Sequence, residues 1–293
     1  MNIIDRLLNP FIKTTLLAKG SKKIFEDEKT AMQEVFSGKH EHYLPEKLVN
    51  SLHIDNSYGC PIYTVGADNN AKKCLIYLHG GAFCQDIDSM HFRYIDNLYN
   101  EIKIPIHVII YPKIPQHNFR DAERILNKFY NDIAEKYGSE NVFIAGDFSG
   151  GTIALTFASM QEKKPGGLIL YSPLVDIRLN NALIDDIEPD DPMLSVDGLK
   201  YFINMWIDGE NDETPRVNPA FIDVLSLPCT LIFTGTDDIL SPDAINLGIK
   251  IKQAGGKCNL YVFKNLYHAF FFFPTPAGKK TINITANFIK CQK

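Results

Sequence analysis

From about residue 61 onward, short apolar runs rich in β-forming residues alternate with longer stretches whose apolar positions recur every three or four residues. The short runs predict strands, and the longer stretches predict helices. Alternation of this kind is typical of strand–helix crossovers, so the sequence predicts an α/β fold with a mostly parallel sheet flanked by helices. The predicted strands are Cys74–Leu78, Ile106–Tyr111, Asn141–Ala145, Gly167–Tyr171, Cys229–Thr234 and Asn259–Phe263.

The helical spacing is clearest between the second and third predicted strands. The apolar positions there form one stripe that stops near Gly138, and glycine commonly terminates a helix. We therefore expect a helix that covers one face of the sheet. Its stripe consists of Ala122, Ile125, Leu126, Phe129, Ile133 and Tyr137.

Two segments do not follow the alternation. Apolar pairs recur every four residues from Ile3 to Ile12, which predicts a helix. Asp5 and the scarcity of basic residues nearby favour packing of this helix on the protein body over binding at a membrane surface. The second segment, Asp176 to about Pro219, joins an acidic run to an amphipathic stretch. We predict a single domain over residues 1–293, with a helical cap formed by about residues 1–45 and 176–219.

Charge and composition exclude several kinds of partner. The 293 residues carry a formal charge of -5, and the lysines are scattered, which does not suit nucleic-acid binding. No uninterrupted apolar stretch approaches the ~20 residues of a transmembrane helix, and the N-terminus does not resemble a secretion signal. We therefore expect a cytoplasmic protein that acts on a small molecule. The sequence does not fix its oligomeric state.

Neither the cysteines nor the acidic run predicts a metal site. The six cysteines include no Cys-x-x-Cys pair, so we predict no zinc site and no disulfide framework, and we interpret most of them as core thiols. The acidic run lacks the glycine and the final glutamate of a calcium loop, so we interpret it as a solvated loop. We expect no metal and no cofactor. The cysteines are Cys60, Cys74, Cys84, Cys229, Cys258 and Cys291, and the acidic residues are Asp185, Asp186, Glu188, Asp190 and Asp191.

Candidate chemistry begins at two glycine-rich turns. His79, Gly80 and Gly81 directly follow the first predicted strand, where backbone N–H groups could hold an oxyanion, although glycines also end strands for purely structural reasons. The second turn, residues 146–151, joins a predicted strand to a predicted helix. Small residues around such a turn allow the strained tip of a nucleophile elbow, with the helix N-terminus favouring negative charge.

A carboxylate and a histidine follow the second turn at two later strand ends. Asp237 and Asp238 end one predicted strand, and His268 follows the next. The chain order is therefore elbow, acid and histidine, which is the order of an α/β-hydrolase triad.

On these residues, the chain resembles the hormone-sensitive-lipase-like family of α/β-hydrolases. The resemblance covers about Cys74 to Phe273 and rests on the two glycine turns, the acid, the histidine and two proline motifs. It implies hydrolysis of carboxylic esters with short acyl chains, oxyanion donors at Gly80 and Gly81, and an acid and a base at Asp238 and His268. Leu240, two residues after Asp238, selects that aspartate over Asp237. The proline motifs are Tyr111-Pro112 with Pro115, and Ser172-Pro173 with Asp176.

The elbow departs from the family pattern at the nucleophile. Where the family has Gly-Asp-Ser-Ala-Gly-Gly, this chain has Phe148 at the serine position and Ser149 at the alanine position. One step along a helix rotates a side chain by about 100°, so we expect Ser149 to point away from His268. The N–H of Ser149 is expected to serve the oxyanion, which is a separate role from attack.

Two functions remain open on the sequence alone. The first is an ester hydrolase that uses Ser149 as a surrogate nucleophile or a weak route through water, with turnover severely impaired by Phe148. The second is a catalytically dead scaffold that binds a small apolar ligand. The aromatic run Phe270–Phe273 could line an acyl pocket or fill the core, and core packing is favoured.

Overall fold

One eight-stranded sheet organises the fold, in the order β1-β2-β4-β3-β5-β6-β7-β8. The computed structural model describes residues 8–10, 12–15, 50–68 and 70–292. Strand β2 is antiparallel to β1 and to β4, and all the other neighbouring strands run parallel. The strands are β1 (Leu52–Asp55), β2 (Ile62–Val65), β3 (Cys74–Leu78), β4 (Ile106–Ile109), β5 (Val142–Asp147), β6 (Gly167–Tyr171), β7 (Thr230–Asp237) and β8 (Cys258–Tyr267).

Helices cover both faces of this sheet. Side chains of β3 alternate between two cores: Cys74 and Ile76 face one, and Leu75 and Tyr77 face the other. Helices α1 and α7 pack on the second face, and α2, α3, α5 and α6 pack on the first. The helices are α1 (Ser89–Ile102), α2 (Phe119–Tyr137), α3 (Phe148–Met160), α4 (Ile184–Ile187), α5 (Val196–Ile207), α6 (Ser241–Gln253) and α7 (Pro276–Cys291).

The predicted α/β architecture is confirmed. All six predicted strands are present as β3 to β8, with ends shifted by up to four residues. The amphipathic helix is α2, which begins after the N-cap Asn118 and ends at Gly138. The sequence pattern missed β1 and β2, the two strands at one edge of the sheet. β1 has only four residues and none of them is buried, so it lacks the apolar run by which the other strands were found.

The insertion between β6 and β7 packs against loops at the carboxyl ends of the parallel strands. Trp206 of α5 stacks on Phe83, with ring centroids 4.5 Å apart, and lies edge-on to Tyr111. Phe83 follows β3 and Tyr111 follows β4, so this part of the predicted cap lies where catalytic residues of open α/β sheets collect. Residues 8–10 and 12–15 of the N-terminal part are helical. The other residues of the predicted N-terminal cap lie outside the described ranges, and the cap itself stays a prediction.

The structure agrees with the interpretation of most cysteines as core thiols, whereas the acidic run needs a correction. Four cysteines are buried, Cys229 is half-buried and Cys291 is exposed, and all six are free. In the acidic run, Asp191 is 3% exposed and its carboxylate accepts three backbone N–H groups, while Asp190 beside it is exposed. The solvated-loop interpretation is therefore wrong for Asp191.

Two further observations concern the described part of the chain. No helix there is both long and apolar enough to cross a bilayer. The same residues contain no group of three or more His, Cys, Asp or Glu side chains placed to hold a metal ion.

Candidate active site

The turn from β5 into α3 has the geometry of a nucleophile elbow, with Phe148 at its tip. Phe148 has a φ of 49°, in the left-handed region that bulky residues rarely adopt. The tight turn requires glycine on both sides, because a Cβ on Gly146 would collide with the carbonyl oxygen of Gly150, and one on Gly150 would collide with that of Leu78. The backbone therefore places residue 148, and not residue 149, at the strained tip.

Ser149 lies one step into the helix and makes other contacts. Its side chain is fully buried, and its Oγ accepts the N–H of Phe83 at 3.3 Å. Tyr111 is a second neighbour of this hydroxyl. Within the described residues, no hydrogen bond joins Ser149 to His268.

Asp238 and His268 form a buried hydrogen-bonded pair at the ends of β7 and β8. His268 Nδ1 lies 2.9 Å from Asp238 Oδ2, and the two residues are 4% and 0% exposed. Burial favours the neutral imidazole. The charge and hydrogen bond of Asp238, with smaller contributions from the charges of Asp191 and Asp147, outweigh burial and raise the pKa of His268. The pair thus has the arrangement in which a carboxylate fixes the tautomer of a basic histidine.

The ring of Phe148 packs against this histidine. The two ring centroids are 4.7 Å apart, at an interplanar angle of 73°. An attacking hydroxyl would need to stand within hydrogen-bonding reach of the imidazole. In this chain the position is filled by a hydrocarbon side chain that can neither donate a proton nor attack a carbonyl carbon.

Asp237, the neighbouring carboxylate, has a different partner from the one expected. With Asp238 as the acid, the sequence predicts that Asp237 meets solvent or caps the next helix. It instead pairs with Lys13 Nζ at 2.6 Å, and both side chains are 20% exposed. Because Lys13 belongs to the N-terminal helical residues, this ion pair ties that part of the chain to the end of β7.

The glycine turn after β3 lies beside the elbow. A Cβ on Gly80 would lie 3.1 Å from Cβ of Phe148 and would collide with the carboxylate of Asp147. Gly81 has a φ of 106°, which only glycine adopts readily. The backbone of Gly80 therefore lies so close to the elbow that residue 80 has no room for a side chain.

A polar network missed by the sequence analysis lies behind the elbow. Tyr77 donates a hydrogen bond to Asp147 Oδ1 at 2.7 Å, and His91 Nε2 lies 3.6 Å from Asp147 Oδ2. Burial disfavours a charged His91, but Asp147 and Asp88 more than offset this and raise its pKa to about 9. The imidazolium of His91 balances the charge of the Asp147 carboxylate, and the hydrogen bond from the Tyr77 phenol orients that carboxylate beside the elbow. In the sequence, Tyr77 is only one residue of a predicted strand, and no motif identifies His91.

The aromatic run after the histidine belongs mainly to the core. Phe270, Phe271 and Phe272 are all buried, and Phe272 packs on His91 with centroids 4.4 Å apart. Phe271 packs against Tyr171 at 4.9 Å. These contacts agree with the favoured interpretation of core packing.

Comparison with known proteins gives a consistent result. A family model described as alpha/beta hydrolase fold matches residues 75–272. The chain is 26% identical over 232 residues to an esterase of Acinetobacter venetianus, covering 76% of this chain and 77% of that protein. It is 28% identical over 214 residues to esterase LipU of Mycobacterium tuberculosis, covering 69% of this chain and 71% of that protein.

Solved structures of similar fold cover nearly the whole chain. The HSL homologue EstE7 from a metagenome library superposes with a TM-score of 0.84 at 20% identity, covering 97% of this chain and 98% of that one. EstE5 soaked with p-nitrophenyl butyrate superposes with a TM-score of 0.81 at 23% identity, covering 96% and 97%. At these identities the structural likeness shows the fold alone.

Proposed function

The chain belongs to the α/β-hydrolase-fold family that its residues 75–272 match, and from that premise we propose that it is a cofactor-independent carboxylic-ester hydrolase scaffold with severely reduced turnover. In this proposal Asp238 and His268 are the acid and the base. The N–H groups of Gly80, Gly81 and Ser149 are the oxyanion donors. Phe148 occupies the nucleophile position, and the substrate class is small esters with short acyl chains.

One observation carries the proposal: Phe148 stands at the strained elbow tip with its ring against His268, 4.7 Å between centroids. In comparable triads, loss of the serine reduces turnover by about a millionfold, and about a thousand- to ten-thousandfold acceleration over water remains. Ser149 is a poor surrogate, because its hydroxyl is already engaged with the N–H of Phe83. The names of the relatives, esterases in both cases, support ester chemistry as the ancestral activity.

The substitution Phe148→Ser tests this proposal directly. We expect it to raise hydrolysis of p-nitrophenyl butyrate by at least about a hundredfold, since it places a hydroxyl at the tip beside an existing acid–base pair. Phe148→Ala is the matched control, because it removes the ring without adding a nucleophile, and it should give no comparable rise. Adding His268→Ala to the serine variant should abolish the gain.

Labelling with a serine-directed fluorophosphonate distinguishes the two candidate serine positions. We expect no label on the parent chain and a label at position 148 in Phe148→Ser. A label on Ser149 in the parent would identify it as a working surrogate. A folded serine variant with neither label nor increased hydrolysis would show that the proposed register of the elbow is wrong.

The second candidate function is binding of a small apolar ligand without turnover. It is favoured by the presence of the Asp238–His268 pair and the glycine turn around a side chain that cannot attack. A short-chain methyl ketone is a suitable probe, because it has the carbonyl group and the alkyl chain but no cleavable ester bond. Saturable shifts of the His268 ring signal in NMR would support binding, and their absence at millimolar ketone would contradict it.

A further inference from the structure

Asp191 is a buried carboxylate next to the acid–base pair, and it comes from a different part of the chain. It lies in the insertion between β6 and β7 and is 3% exposed. The charge of Asp238 raises the pKa of Asp191, and the charge of Asp191 raises that of His268. A carboxylate buried to this extent needs partners, because an uncompensated buried charge is costly.

The partners of Asp191 are backbone N–H groups on two segments. Its Oδ1 accepts the N–H groups of Met193 and Leu194 at 2.8 and 3.0 Å, within the insertion. Its Oδ2 accepts the N–H of Ile239 at 2.9 Å. Ile239 directly follows Asp238, whose own Oδ1 accepts the N–H of Leu240 at 2.9 Å. The loop that carries the acid is therefore held from two sides.

Burial and the nearby Asp238 raise the pKa of Asp191 to about 7, and the three N–H donors, which favour the ionised form, only partly oppose that rise. A backbone N–H cannot accept a hydrogen bond, so none of the three could pair with the O–H of a protonated carboxyl. The charged groups that act on His268 are Asp238 at the end of β7, Asp191 in the insertion and Asp147 at the end of β5.

We propose that Asp191 is a positioning residue for the Asp238–His268 pair. It holds the backbone after Asp238 through Ile239, and its negative charge supports the protonated form of His268. The inference rests on the proposed function only in so far as that function makes the pair an acid and a base. The insertion thus contributes a group to the electrostatics of the base.

The test is an NMR titration of the His268 ring in the chain with Phe148 retained, so it does not depend on hydrolysis. Asp191→Asn keeps the shape of the side chain but removes its charge, and we expect it to lower the pKa of His268 by at least about half a unit. Asp190→Asn is the matched control, because it removes the same charge from an exposed neighbour. A His268 pKa that moves equally little in both variants would overturn the proposal.

A second measurement on the unaltered chain covers the case in which Asp191→Asn does not fold. The Ile239 amide signal reports ionisation of the carboxylate to which it is bonded, and the ring signal of His268 reports the base. We expect the two signals to share an inflection as pH changes, because the two charges interact. Independent titrations would overturn the proposal. Failure of Phe148→Ser to hydrolyse esters would leave both NMR results standing, so the two proposals can fail separately.

Discussion

Asp237 and Asp238 are adjacent at the end of β7, yet their surroundings differ sharply. Asp238 is fully buried and is bonded to His268. Asp237 is 20% exposed and is bonded to Lys13. Consecutive residues at the end of a strand point in different directions, so only one of the two carboxylates reaches the histidine.

This difference predicts unequal effects of two otherwise identical substitutions. In the Phe148→Ser background, where turnover can be measured, Asp238→Asn should reduce kcat by about a thousandfold or more, because it leaves the histidine in the wrong tautomer. Asp237→Asn should reduce kcat by less than about threefold, because this carboxylate is bonded to Lys13 and not to His268. Steady-state hydrolysis of p-nitrophenyl butyrate measures both. The reverse ranking would move the acid to Asp237.

Residue patterns predicted some of these positions and not others. Asp238 and His268 could be found because their chain order and a leucine two residues after the acid are local signals. Asp191 and His91 carry no such signal. Asp191 follows acidic residues that are mostly exposed, and its contact with the N–H of Ile239, 48 positions away, exists only in the folded chain.

At the scale of elements, the elbow is a close contact between β3, β5 and α3. Gly150, in the first turn of α3, packs directly under the carbonyl oxygen of Leu78 at the end of β3. Neither element has space to move, because both are buried. The contacts of Gly146 and Gly150 that shape the turn are therefore made to backbone atoms and not to the side chain of residue 148.

Gly150→Ala should consequently destabilise the whole fold. The added methyl group overlaps backbone atoms, which cannot rotate away as a side chain could, and overpacking of this kind costs about 1–3 kcal/mol or more. Met160→Ala, at the exposed end of the same helix, should change the free energy of unfolding by less than about 0.5 kcal/mol. Urea denaturation of both variants measures the difference. Equal stabilities would show that β3 and α3 can separate without cost.

Sequence periodicity did not predict elements in proportion to their burial. β3 to β7 were found as apolar runs that are mostly buried, and β8 was found although most of its residues are partly or fully exposed. β1 has no apolar run and none of its residues is buried, whereas β2 was missed although all four of its residues are buried. β1 pairs with β2 and β2 pairs with β4, and no local pattern encodes these antiparallel contacts.

Across the whole molecule, buried histidines are held in opposite protonation states. Burial lowers the pKa of His107 to about 4, and Lys136 adds to the effect. Its Nδ1 lies 2.9 Å from Thr64 Oγ1. His91 behaves in the opposite way, since Asp147 and Asp88 outweigh burial and raise its pKa to about 9. Among the described residues, His79 resembles His107, since burial lowers its pKa to about 4, so the interior holds neutral imidazoles at His79 and His107 and a charged one at His91 at neutral pH.

These shifts predict opposite pH dependences of stability. Between pH 6.5 and about 4, His107 is protonated in the unfolded chain and neutral in the folded chain. The free energy of unfolding of the parent, relative to that of His107→Gln, should therefore fall by about 2 to 3 kcal/mol on acidification. From pH 6.5 up to about 9, the folded chain keeps a proton on His91 that the unfolded chain loses. Relative to His91→Gln, the parent should therefore lose a similar amount as pH rises.

Urea denaturation at pH 4.5, 6.5 and 9, a range chosen from the pKa values above, provides the measurement. Each variant serves as the control for the other, because the two differences should change over separate pH ranges. A constant difference between parent and His91→Gln from pH 6.5 to 9 would show that the imidazole near Asp147 is not charged in the folded state.

The left-handed backbone at Phe148 has a consequence for the gene. Because packing of the neighbouring glycines imposes that conformation, a replacement side chain would be presented at the elbow tip without any rearrangement of the chain. Codons for phenylalanine become codons for serine by a change of the second base alone. Under the proposed function, a single point mutation thus separates this chain from an active esterase, whichever of the two came first. Random mutagenesis with selection for growth on a short-chain ester would therefore yield the Phe148→Ser variant without design.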